Sequence, residues 1–148
     1  MCYAYDEKYI DDAMRNLGEA FDYAYNYCGI QLDEFMDMFI TSGIASQFED
    51  GNPKFVSGMS GIELVWDVVS RTGKKLDMPE QLVEYEHSRE YWSGWILAYY
   101  QWNTGRSFEN IRKYISIKEI LKLYPTLHEA SEEKFVDTIN VIIERIKT

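Results

Sequence analysis

A chain of 148 residues with 46% hydrophobic and 16% aromatic side chains is long enough to bury a sizeable core and too apolar to stay unfolded. Its formal net charge of −10 is lopsided: residues 1–50 hold eleven acidic side chains against two basic ones, Lys8 and Arg15, while the remainder is almost balanced. That balance excludes unaided gripping of nucleic-acid phosphates and points to a basic partner or to a well-solvated acidic face.

The length fits one domain over residues 1–148. No apolar run approaches the roughly 20 residues of a membrane helix. The opening MCYAYDEKYI has neither an apolar signal core nor a basic leader. Two cysteines, Cys2 and Cys28, do not make a disulfide framework; the expectation is a cytoplasmic chain with Cys2 exposed and Cys28 in the core.

In chain order, apolar spacing predicts a first helix from about Asp6 to Cys28. Its inward face is Ile10, Ala13, Met14, Leu17, Ala20, Phe21, Ala24 and Cys28; Asp11, Asp12, Arg15, Glu19, Asp22 and Asn26 lie opposite. Gly29 suits its left-handed stop. Gly18 weakens it by roughly 1 kcal/mol unless another element packs closely there. A second helix spans Leu32 to Thr41, with Asp33, Glu34 and Asp37 facing outward, and a short turn Ile44–Phe48 follows Gly43. After the turn residues Gly51, Asn52 and Pro53, the capping box Ser60-Gly61-Ile62-Glu63 opens a helix to about Thr72, with Ile62, Val65, Trp66 and Val69 inward. Residues 74–87 read as a polar connection in which Pro79 starts a short helical turn.

Ser88 then caps a helix ending at Thr104-Gly105, the aromatic centre of the chain. It carries Trp92, Trp95 and Trp102 with Tyr91, Tyr99 and Tyr100. Its stripe Tyr91, Trp95, Ala98, Tyr99 and Trp102 is expected to pack under the first and last helices. Trp95 sits at mid-helix and should be buried; Trp102, beside Arg106 near the end, could reach the surface as a contact residue. Ser107 caps a short helix bearing Phe108, Ile111 and Ile115. Ser116–Glu119 is a second capping box, for a helix broken by Pro125, and Thr126–Glu129 reads as a third. The last helix, about Ser131 to Lys147, buries Phe135, Val136, Ile139, Ile142, Ile143 and Ile146. No stretch keeps the period-2 pattern of a strand. The fold class is therefore all-α, a bundle of about six to eight helices around the aromatic one.

The residues supply no recognisable catalytic constellation. His87 and His128 stand in no metal-ligand spacing, and HEASE at 128–132 lacks the second histidine of a zinc box. Neither a nucleophile elbow nor a phosphate-binding glycine loop occurs. No catalytic, cofactor or metal residue is assigned. The candidate partner-binding residues are Asp33, Glu34 and Asp37 of the acidic sector and the Trp102–Arg106 pair.

Four strings are specific enough to carry a likeness: DDAMRNLGEAFDYA, LDEFMDMFITSGIASQFEDGNPKFVSGMSGIEL, EYWSGWILAYYQWNTGRSF and LYPTLHEA. Together they resemble a family of small bacterial proteins without an established active site. In many of its members this region precedes an Xre-type helix-turn-helix domain, beside genes for ADP-ribosyltransferase-like proteins, an arrangement similar to a toxin–antitoxin locus. The resemblance implies a non-enzymatic interaction domain, the antitoxin that covers a basic cleft on its toxin. The absent motifs and apolar runs lead to the expectation of no cofactor and no membrane, and this chain stops at Thr148, where those relatives continue into the DNA-binding part. Alternatives are an acidic decoy mimicking nucleic acid, or an enzyme of unrecognised type.

Overall fold

Asp6 opens the helical path of the chain by accepting the Lys8 amide at 2.9 Å, ahead of a 3-10 turn, Glu7–Tyr9. In the computed structural model, which describes residues 3–73, 79 and 87–148, that turn runs into α1 (Ile10–Asp22) and ends in a π-helical turn, Tyr23–Tyr27. Gly29 follows in the left-handed conformation. Next come α2 (Leu32–Thr41), α3 (Ile44–Glu49), α4 (Pro53–Val56) and α5 (Gly61–Arg71), then α6 (Arg89–Thr104), α7 (Phe108–Arg112), α8 (Ile117–Lys122), α9 (Tyr124–Leu127) and α10 (Glu132–Lys147). All regular structure among the described residues is helical, so the fold is all-α. The two helices beyond the expected number are four-residue turns, α4 and α9, each with a proline near its start. The expected connection over 74–87 lies outside the described residues except for Pro79, which is not helical, and His87.

α6 is the centre. Its main neighbour is α1, with α10 along another side and α8 and α9 near its start. The α1–α6 crossing is made by small residues. Gly18 leaves room for Tyr91, whose carbonyl oxygen lies 3.0 Å from where a Cβ would stand. A Cβ on Gly94 would sit 2.4 Å from the Leu17 carbonyl oxygen. This close approach supplies the packing that a glycine in mid-helix requires.

Local capping signals are met. Ser60 and Glu63, and Ser116 and Glu119, form reciprocal boxes; Ser88 and Ser107 accept the Tyr91 and Asn110 amides. The third box is not formed. Thr126 lies inside α9, because Pro125 initiates a turn instead of ending a helix, and Ser131 caps α10 by accepting the Lys134 amide.

Two faces are rotated from expectation. In α5 the buried stripe is Gly61, Leu64, Val65, Val68 and Val69, which leaves Trp66 46% exposed, its indole N–H on the Tyr23 hydroxyl at 3.2 Å. In α6 the fully covered positions include Ser93, Gly94, Leu97, Ala98 and Gln101, while Trp95 and Tyr99 are only partly buried. Gly94 and the Tyr91 ring, not Trp95 or Tyr99, meet α1 at the tight crossing. On α10, Ile146 is exposed and Ile142 half-buried, because only Phe135, Val136, Ile139 and Ile143 meet the core. Cys28 is half-buried, and burial pushes its thiol up. Cys2 lies outside the described residues.

Candidate functional site

Four of the eleven acids in the first fifty residues join helices: Glu19, Asp22, Asp33 and Glu49. A helix start exposes amide N–H groups and positive dipole charge, so a carboxylate placed there is stabilising. Glu19 of α1 accepts the Gly61 and Ile62 amides of α5 at 2.8 and 3.3 Å. Asp33 of α2 accepts the Ile117 and Lys118 amides of α8 at 2.8 and 3.2 Å. Glu49 at the end of α3 accepts the Phe108 amide of α7 at 3.3 Å; burial raises its carboxyl, and that amide draws it back down. Asp22, expected on the outer face of α1, is buried and accepts the hydroxyl of Ser88, the cap of α6, and the amide of Asn26. Each carboxylate ties its helix to one distant in the chain, across 42 to 85 residues of sequence, except the Asn26 bond within the turn.

Two proposed contact residues therefore have structural work. Asp33 is also 3.6 Å from Arg112, which stands 3.4 Å from Asp37. Of the acidic trio on α2, Glu34 is exposed and the Asp37 side chain is 64% exposed. Replacing Asp33 with alanine should cost about 1–2 kcal/mol, the range of a lost cap, read in chemical denaturation. A lysine there would cost more, by placing like charge at the start of α8.

Trp102 is 4% exposed and is not a surface contact. The N-terminal residues cover it: Tyr3 stacks on its ring at 4.0 Å, its indole N–H donates to the Tyr5 carbonyl at 2.8 Å, and the Ala4 amide donates to its carbonyl at 2.9 Å. This coverage could not be read from helix periodicity, because it comes from non-helical residues about 97 positions away.

Arg106 lies at the edge of an open groove between the end of α6 and α10. Its guanidinium donates to Asn110 at 2.8 Å. The groove, about 730 Å³, also has Tyr3 and Tyr99 on one wall and Glu133, Asp137 and Glu144 on the other. Tyr100 fastens the two helices beneath it by donating to Asn140 at 2.6 Å, and Tyr99 donates to Glu133 at 3.2 Å. The side chains of Asp137 and Glu144 make no hydrogen bond or ion pair among the described residues. On the helix they straddle Val141, which is 50% exposed, at positions i, i+4 and i+7. An apolar side chain flanked by carboxylates outside the core was missed by the sequence reading, which assigned α10 by its buried face alone.

Burial pushes the Tyr99 hydroxyl up to about 12, helped by the Glu133 carboxylate beside it. Burial also raises Tyr5, Tyr23 and Tyr100. An unfolded tyrosine ionises near about 10, so these groups give their full stabilising share below that pH and lose it as pH rises toward and past their folded values. Stability measured by denaturant should therefore fall above about pH 10, with tyrosinate absorbance of the folded chain lagging behind that of the unfolded one.

Among the described residues no cluster of three or more His, Cys, Asp or Glu side chains could hold a metal ion, and no helix is long and apolar enough to cross a membrane. Compared with protein-family models, curated proteins and solved structures, the chain matches none.

Proposed function

We propose that the chain is a non-enzymatic interaction domain, the antitoxin-like half of a bacterial toxin–antitoxin pair, and that it takes a basic protein partner on the α6–α10 groove. The observation that carries this reading is the α10 stripe Asp137, Val141 and Glu144: two carboxylates that line the groove and bond to no other described residue, and an exposed apolar side chain just outside it, beside Glu144. Such a patch suits an apolar anchor with a charged rim. The net charge of −10 would speed the approach of a basic surface. The family resemblance supports the same class of partner, an ADP-ribosyltransferase-like toxin in the cytoplasm.

The test is to express the tagged chain from its own locus with its flanking genes and to identify what co-purifies at low salt. The expected result is a basic protein encoded next to it, retained by the unmodified chain and lost from the Asp137→Lys/Glu144→Lys variant. Recovery of the same protein on both would refute the assignment of this groove. Recovery of none would refute the antitoxin reading.

A further inference from the structure

Both histidines of the chain line one cleft of about 420 Å³ at the start of α6. His87 stacks on Tyr91 at 3.8 Å and 15°, and His128 stacks on Tyr124 at 4.3 Å and 18°. Trp92, edge-on to Tyr124 at 5.5 Å, and the partly exposed Trp95 complete the aromatic lining. Ser88 is the one non-aromatic lining side chain among the described residues.

The lining chemistry narrows the ligand. Among the described residues its lining holds no lysine or arginine, so no fixed positive charge there favours an anion. Among the described residues its lining holds no carboxylate, the nearest to a lining ring being the exposed Glu129, 3.6 Å from His128, so the lining itself offers no cluster of hard oxygen donors to replace the water shell of a metal cation or a primary ammonium. Aromatic faces carry negative quadrupole charge and attract cations that shed water easily. The net charge of −10, although concentrated in residues 1–50, adds a long-range field of the same sense. We propose that this cleft binds a quaternary ammonium head group. That head group is shared by choline-like small molecules and by trimethylated lysine on a protein. The cleft includes none of the α10 residues assigned to the protein partner, so the two readings stand or fall separately.

Calorimetric titration of the whole chain at constant ionic strength tests it, with choline, its neutral isostere 3,3-dimethyl-1-butanol, and a short peptide carrying trimethyl-lysine. Saturable binding of at least one of the two cations is expected, with the neutral isostere weaker than choline by about tenfold or more if choline is the one that binds. The cation that binds more tightly names the source. Trp95→Leu, which keeps apolar volume and removes the ring, should weaken the bound cation by about tenfold with a folded melting curve. Absence of saturable binding for both cations overturns the proposal, as does isostere binding as tight as the cation, or a folded Trp95→Leu variant with unchanged affinity. Should that variant not fold, the titrations on the unmodified chain decide alone.

Discussion

Trp102→Ala is expected to destabilise the domain by roughly 3–5 kcal/mol, the range for removing a large buried ring. Trp102 is 4% exposed; Tyr3 stacks on the indole and the indole N–H donates to the Tyr5 carbonyl, while the Ala4 amide holds the Trp102 backbone carbonyl. Alanine leaves a void at the end of α6 and strips the Tyr5 carbonyl of its donor, which adds a desolvation cost to the lost packing. A domain has only about 5–15 kcal/mol to lose, so the variant should melt far below the parent. Trp95→Ala removes a ring that is only partly buried and should cost less. Denaturant titration of both variants checks the order; a larger loss at Trp95 would contradict the placement of the α6 faces.

Gly94→Val is expected to cost about 3 kcal/mol or more, at the upper end of what inserted volume does to a packed core. The first added atom alone would stand 2.4 Å from the Leu17 carbonyl oxygen and 2.8 Å from the Phe21 ring. The carbonyl belongs to the backbone of α1, so it cannot swing away as a side chain could, and the two helices must part. Gly94→Ala brings the same first atom but regains about 1 kcal/mol of helix propensity, so its loss should be smaller. Thermal melts of the pair measure this. If both variants were as stable as the parent, the helices would not be in contact at that point.

The features that proved legible in the sequence are local ones. A serine followed three residues later by a glutamate marked the starts of α5 and α8, because the cap is made within one turn of chain. Leu32 to Thr41 was bounded correctly because its apolar period and its terminating glycine agree. What escaped depends on distant partners. Nothing near Asp33 announces the start of α8, 84 residues later, so the carboxylate read as a solvated or partner-binding charge. The orientation of α6 escaped for a related reason. Aromatic side chains dominate any hydrophobic count, but the closest approach to α1 is at Gly94, which adds almost nothing to that count. The Thr126–Glu129 box was expected from its spacing alone, but the helical turn at Pro125 takes up Thr126, and Ser131 caps α10.

The reading of function turns on which acidic surface meets the partner. Association of the captured partner with two charge-reversed domains, Asp137→Lys/Glu144→Lys on α10 and Glu34→Lys/Asp37→Lys on α2, addresses it most directly. Rates are measured on a biosensor at low and raised salt, beside melting curves of each domain. The expected result is an association rate lowered about tenfold for the α10 variant, mimicked by salt in the parent, with its melting curve unchanged and the α2 variant close to the parent. A slow α2 variant beside an unaffected α10 variant would contradict the account and return the interface to the acidic face of α2.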